Sequence, residues 1–260
     1  MWMTPMPLTD EQLADFRTKG FVVLKDFFNN ATMQRVSRCL DTIQTKQSEG
    51  NLDAKYYEIS PVTGENMLVR IENIIGDHND ELSSILLSSE SIDALSRILG
   101  ETPILFKDKI NYKLPGCRED KLHQDQAAGW GQYCDFFVTM VVAVDENRRE
   151  NAAMAVLKTG NYEHRLMTEE WQPLADGESP YSREEEYAIL EVDPGDVIFF
   201  DAYVPHGSPA NTSQKGRRNI FLTFNRLSEG DNRARYYQDK WESYGPNKLD
   251  DARAEDSFLV

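Results

Sequence analysis

His123 and Asp125 stand two residues apart in Lys121-Leu122-His123-Gln124-Asp125, a stretch that reads as strand running into turn. In an extended strand, residues i and i+2 project from one face, so an imidazole and a carboxylate at this spacing can reach the same ion. Alone, the pair is half a site. A second imidazole arrives late in the chain, in Phe199-Phe200-Asp201-Ala202-Tyr203-Val204-Pro205-His206-Gly207-Ser208, where His206 follows an apolar strand. Two histidines and one carboxylate that hold one face of an ion and leave the other open are the donor set of non-haem Fe(II) sites. Further on, Arg217 offers a planar, bidentate cation suited to gripping a carboxylate. Each residue has an ordinary alternative: an HxD on a turn is often a surface or capping pair, and His206 between Pro205 and Gly207 could be a turn histidine. Together they point to an enzyme.

The remaining histidines fit chemistry less well. His78 lies in the polar turn Gly76-Asp77-His78-Asn79-Asp80 and is expected in solvent, while His164 sits among charged neighbours on a loop. The 44 Asp and Glu outweigh the 28 Lys and Arg, giving a formal charge of −16, which repels nucleic acid and anionic membranes. A pocket's local charge can oppose that balance. Lys107, Lys109 and Lys113 share odd parity, so one regular strand would show all three on one face, with Arg70 and Arg118 nearby in sequence. Surface lysines are the plain alternative; on the inner face of a barrel they would favour an anionic or zwitterionic small molecule. Cys39, Cys117 and Cys134 are odd in number and include no CxxC pair, implying neither a disulfide framework nor a zinc knuckle. The first eight residues lack a signal-peptide pattern and the longest apolar stretch, 136–144, is far short of a membrane span. A cytoplasmic monomer or homodimer is expected.

The elements that must position these residues read as helices first and strands afterwards. Thr9-Asp10-Glu11-Gln12 is a capping box and Gly20 a helix stop. Gly20 to Phe28 reads as a strand, Ala31 to Thr45 as an amphipathic helix, Tyr56 to Ile75 as two strands around a Thr63-Gly64 turn, and Asp80 to Leu99 as one helix. Strands are then expected over Thr102 to Leu114, Asp135 to Val144, Met154 to Thr159, Tyr187 to Val192, Val197 to Phe200 and Asn219 to Asn225. The Pro-, Gly- and acid-rich stretch 169–186 reads as a surface loop suited to a lid, and Asp231 to Tyr244 as a C-terminal helix. Absence of GxGxxG and GxxxxGK[ST] removes dinucleotide and P-loop folds. The expected fold is mainly β with flanking helices, a barrel or double-sheet jelly roll in a single domain over 1–260. Within it, 1–100 would form a helical buttress with the first strands, 101–230 the jelly-roll core, and 231–260 a C-terminal helix and tail.

On these residues the chain resembles the phytanoyl-CoA dioxygenase-like family of Fe(II)/2-oxoglutarate oxygenases. The likeness runs through Gly20-Phe21-Val22-Val23-Leu24, Asp26-Phe27-Phe28, Lys113-Leu114-Pro115-Gly116, His123-Gln124-Asp125, Pro194-Gly195-Asp196-Val197-Ile198-Phe199-Phe200, His206-Gly207-Ser208, Asn211, Ser213 and Arg217. It departs at Asn151-Ala152-Ala153-Met154, where the family's usual glycine is absent, and at 159–164, where its Pro-Gly-Ser-His segment is replaced.

The resemblance implies a double-stranded β-helix (cupin-like) core, Fe(II) on His123, Asp125 and His206, and 2-oxoglutarate and O2 as co-substrates. It places Arg217 and Ser208 on the far carboxylate of 2-oxoglutarate, with Arg218 the substitute if the strand register slips, and Asn111 as a further co-substrate contact. Trp130 is a candidate pocket wall, with core packing as its alternative. The reaction implied is hydroxylation of an unactivated C–H; halogenation is disfavoured because Asp125 fills the position a halide needs. Arg70 to Asn73, Lys107 to Lys113, His123 to Trp130 and Ser228 to Asp231 look most like members acting on small polar molecules such as aminophosphonates, with secondary-metabolite tailoring as the alternative. Outside this class stand a zinc hydrolase, which lacks an HExxH-type glutamate, and a non-catalytic metal- or ligand-binding jelly roll.

Overall fold

Strands apolar at both odd and even positions need cover on both faces, and that requirement sorts the architecture. The computed structural model describes residues 8–158, 164–168, 174 and 180–246. Helices α1 (Asp10–Lys19), α2 (Asn30–Thr45), α3 (Asp80–Leu86), α4 (Ser89–Leu99) and α5 (Arg233–Tyr244) accompany eleven strands. These are β1 (Phe21–Leu24), β2 (Ala54–Ile59), β3 (Asn66–Glu72), β4 (Pro103–Lys113), β5 (Asp120–His123), β6 (Val138–Ala143), β7 (Ala155–Leu157), β8 (Tyr187–Ile189), β9 (Val197–Asp201), β10 (His206–Ser208) and β11 (Arg217–Arg226). A major sheet runs β1-β9-β6-β11-β4-β3-β2 and a minor sheet β5-β10-β7-β8, with antiparallel pairings throughout.

The period of two divides each central strand between two cores. Val138, Met140, Val142, Ile220, Leu222, Phe224, Ile110 and Tyr112 pack outward with apolar residues of α1 to α4, such as Phe16, Val36, Leu40, Leu86 and Leu95. Val141, Ala143, Ile198 and Phe200 face inward and meet Met154 and Val156 of the minor sheet. Lys109, Asn111, Lys113, Arg217 and Phe221 share this inner side and line the cavity between the sheets. The fold is thus the expected double-sheet jelly roll with helices on the outer face of one sheet.

Local expectations meet several corrections. The strand from Gly20 ends at Leu24, because Asp26 takes a left-handed backbone (φ 53°) and its N–H donates to Asp196 Oδ1 at 2.9 Å. That turn is crowded: a Cβ on Gly195 would lie 2.1 Å from the Phe28 carbonyl oxygen, so only glycine fits. The helix over 80–99 is two helices, since Ser88 accepts from the Ser91 N–H and caps α4 afresh. Its apolar period continues across the break, which hid it. His78 is only 19% exposed, with Nε2 3.4 Å from Asp53 Oδ1 and 3.2 Å from the Asn73 carbonyl. Most of the lid expected over 169–186, the stretch 159–163 and the tail beyond 246 lie outside the described residues. No helix among the described residues is long and apolar enough to cross a membrane.

Candidate active site

β5 and β10 pair so that His123 and His206 are direct cross-strand partners, with ring centroids 4.3 Å apart. Close approach of these strands depends on Gly207, where a Cβ would sit 2.8 Å from the Asp120 carbonyl oxygen. Asp125 opens the short turn Asp125–Ala128 just after β5, and this returns its carboxylate to the imidazoles. Asp125 Oδ1 lies 3.6 Å from His123 Nε2 and 3.9 Å from His206 Nε2. One donor atom from each of the three falls within 4.8 Å of the others.

The two rings are oriented alike. His123 Nδ1 is 2.7 Å from the Lys121 carbonyl and His206 Nδ1 is 2.9 Å from the Val204 carbonyl. A carbonyl can only accept, so each Nδ1 carries the hydrogen and each Nε2 presents its lone pair to the shared centre. Burial, reinforced by the neighbouring His123, pushes His206 down to about 4, so it stays neutral as a ligand must. Two neutral imidazoles and one carboxylate, pre-aimed at one point, fit Fe(II) by donor chemistry.

The triad opens on a cavity between the two sheets, lined by residues of β3, β4, β5, β10 and β11, a place that suits a small molecule. Among its lining residues are five cations (Arg70, Lys109, Lys113, Arg118, Arg217) against three carboxylates (Glu58, Asp120, Asp125). In a chain of charge −16, this wall has the opposite sign. Arg217, 4% exposed, donates from Nε to the Ala152 carbonyl at 3.1 Å and from Nη2 to the same oxygen, so the guanidinium is fixed from behind. Ala152 holds a left-handed backbone (φ 65°) where the family favours glycine. For alanine this costs on the order of 1–2 kcal/mol. Arg218 points to the opposite face, toward Asp145, Asp41 and Ser37. Ser208 lines the cavity and donates to Asp120 at 2.8 Å; Asn111 lines it as the cross-strand partner of both Arg70 and Asn219.

The three lysines share the inner face as their parity predicts but meet different fates. Lys109 lies in the wall, its Nζ 5.2 Å from the Phe221 ring centre. Lys113 donates to Asp120 and to the Arg118 carbonyl, both at 2.8 Å. Lys107, 2% exposed, stands outside the wall, farther along the same face of β4, with its Nζ 5.1 and 5.6 Å from the ring centres of Trp130 and Tyr236. Trp130, 1% exposed, packs with Phe106 and Phe137 and also stands outside this wall. Sequence reasoning missed Asp120 and Glu58, which read as solvated charges in Arg118-Glu119-Asp120-Lys121 and on β2. It also missed Glu72, whose Oε1 lies 2.8 Å from Arg70 Nε and accepts from Lys240 at 2.7 Å. Same-face parity of Arg70 and Glu72 was the available signal.

The geometry has counterparts. The family description "Phytanoyl-CoA dioxygenase (PhyH)" matches residues 16–219, which include both histidines, Asp125 and Arg217. The chain belongs to this family. It is accordingly an oxygenase, and the zinc-hydrolase and non-catalytic alternatives fall away. Relatives within reach include the 2-aminoethylphosphonate dioxygenase of the uncultured bacterium HF130_AEPn_1, 36% identical over 92% of this chain and 89% of that protein. The methylphosphonate hydroxylase of Gimesia maris is 31% identical over 91% of this chain and 88% of its own length. The crystal structure of EctD from S. alaskensis in its apo form superposes with a TM-score of 0.71 at 22% identity, covering 88% of this chain and 81% of that one, a likeness of fold.

Proposed function

We propose that this PhyH-family oxygenase is an Fe(II)- and 2-oxoglutarate-dependent hydroxylase of a small anionic or zwitterionic substrate, of the aminophosphonate kind. His123, Asp125 and His206 hold the metal, and Arg217 and Ser208 take the far carboxylate of 2-oxoglutarate. The observation that carries this is a single cavity joining the pre-aimed donor triad to a cation-rich wall in an acidic protein. Bound Fe(II), with 2-oxoglutarate and O2, supplies the oxidising chemistry that hydroxylates a C–H and yields succinate and CO2. The chain's own residues bind and orient. Arg217, backed by the Ala152 carbonyl, meets a carboxylate with a fixed planar donor. Lys109, Arg70 and Asn111 form the part of the wall nearest β3 and β4, where an anionic end is attracted and its carbon chain directed to the triad. Met154 and Phe221 add apolar wall that limits water. Two relatives named for phosphonate substrates favour this class over secondary-metabolite tailoring.

The test is substrate-stimulated succinate release by the iron-loaded protein, with 2-aminoethylphosphonate, methylphosphonate, amino acids, betaines and apolar acyl or terpenoid compounds. Turnover is expected with the phosphonates, oxidised at a carbon near the anionic group. Turnover confined to apolar compounds overturns the substrate class. Absence of both iron binding and succinate formation overturns the whole reading.

A further inference from the structure

Among the described residues, Glu58 and Asp120 are the cavity-lining carboxylates that the proposed chemistry does not use, and of the two Asp120 meets a donor assigned to the co-substrate. It begins β5 and pairs across the strands with Ser208 of β10. Its Oδ2 accepts from Ser208 Oγ and from Lys113 Nζ, both at 2.8 Å, and Arg118 Nη1 is 3.8 Å from Oδ1. Lys113 is itself the cross-strand partner of Arg217. The Asp120 side chain is 46% exposed and lines the cavity, so it stands beside the donors assigned to the co-substrate. Burial would raise the carboxyl, but Lys113 and Arg118 outweigh it and keep Asp120 ionised.

A serine hydroxyl has one hydrogen to give. Ser208 gives it to Asp120 and so cannot also give it to a guest carboxylate. We infer that Asp120 sets the affinity for 2-oxoglutarate by competing with its far carboxylate for Ser208 and for the field of Arg217, Lys113 and Arg118. When co-substrate enters, Asp120 yields the Ser208 hydrogen and keeps Lys113. The arrangement balances charge beside Arg217: Arg118 is engaged bidentately by Glu58 at 2.8 and 2.9 Å, and Asp120 offsets Lys113. The inference rests on the reading of Arg217 and Ser208 as the co-substrate grip.

The experiment is calorimetric titration of 2-oxoglutarate into Mn(II)-loaded protein, which reads binding without turnover. Asp120→Asn and the smaller Asp120→Ser are both expected to tighten 2-oxoglutarate binding, by about fivefold or more, because a like charge beside the guest is removed. Ser208→Ala should weaken 2-oxoglutarate binding in the native background, and about fivefold more in an Asp120→Ala background, where no side-chain acceptor competes for the hydroxyl. Weaker 2-oxoglutarate binding in both Asp120 variants overturns the proposal and makes Asp120 a simple orienting group for Ser208. Equal cost of Ser208→Ala in both backgrounds also overturns it. So does weakened binding of 2-aminoethylphosphonate with 2-oxoglutarate unaffected, which would make Asp120 an acceptor for a substrate ammonium. Arg217→Ala, run alongside, reports on the underlying grip: an unchanged Kd there sinks that reading whatever Asp120 does.

Discussion

His123 and His206 use the same local device: each ring's Nδ1 is held by the carbonyl two residues upstream, Lys121 and Val204, while the rings meet across β5 and β10 at 4.3 Å. The backbone therefore orients both ligands before any ion arrives. Replacing either histidine by Ala should abolish stoichiometric iron binding and substrate-dependent succinate release, a larger loss than the ~10–100-fold typical of an outer partner. The far-ultraviolet dichroism should be preserved, because the two main cores are built of apolar side chains and the His206 ring meets them only at Phe200, 4.7 Å between ring centres. Iron bound at one equivalent by the double variant would refute the site.

The adjacent arginines separate binding from stability. Arg217→Ala should raise the 2-oxoglutarate requirement by roughly one to two powers of ten, since a charged hydrogen bond contributes about 1.5–3 kcal/mol. Arg218→Ala loses the contacts to Asp145, Asp41 and Ser37 on the helical face and should lower Tm with little change in that requirement. Steady-state kinetics and thermal melts on the two variants decide it. A reversed pattern would mean that the strand register at β11 is shifted by one.

Chemistry was easier to read in the sequence than contact. The His123–Asp125 spacing and His206 after an apolar strand survive folding because period-two geometry is local, and the same parity put Lys109, Lys113 and Arg217 on one face. What could not be read depends on packing between distant segments. Lys107 meets Trp130 and Tyr236 only because the segment after β5 and helix α5 come to that end of β4, and the left-handed Ala152 is visible only once Arg217 is seen to need its carbonyl. Asp120 looked like one charge in a solvated run until β10 brought Ser208 beside it.

His164 supplies a pH dependence. Its Nε2 lies 3.4 Å from Asp201 Oδ2, and that hydrogen bond raises the imidazole above its ordinary value. A raised folded pKa gives stability that is fully present below the unfolded value near 6.5 and is lost as pH rises through the folded one. Docking of residues 164–168, which Gln124 also holds through the Arg165 carbonyl and the Met167 N–H, should therefore loosen on the alkaline side of neutrality. The ring is 56% exposed, so the effect is local and screened by salt. Amide exchange at Met167 between about pH 6 and 8.5, beyond the intrinsic base-catalysed trend, should accelerate in the native protein and not in His164→Gln. An NMR titration placing His164 below the free-histidine value would remove the basis for this.

The last prediction concerns how α5 is held against the barrel. Asp108 is fully buried on the outer side of β4, and its Oδ1 accepts from the Ile74 and Ile75 N–H groups at 2.6 and 3.1 Å. Its Oδ2 pairs with Arg233 of α5, and Tyr237 of the same helix donates to the Asp108 carbonyl at 2.9 Å. Asp108 thus ties the segment just after β3, the centre of β4 and the C-terminal helix, which carries Tyr244 into the cavity wall. Asp108→Asn keeps the shape but leaves Arg233 opposite an uncharged amide, and breaking such a buried pair costs about 3–5 kcal/mol. For a chain of this size that is a fall in Tm of roughly 6–20 °C, at about 2–4 °C per kcal/mol. Replacing both partners by apolar residues, Asp108→Leu with Arg233→Met, should cost less than the two single changes together, because no unpaired charge stays buried. Metal content should be unchanged in all of these variants, since β5, the turn after it and β10 carry the ligands. A melt of Asp108→Asn within about 2 °C of the parent, equivalent to less than about 1 kcal/mol, would show that α5 is held by its aromatic packing on Phe106 and Tyr56 instead.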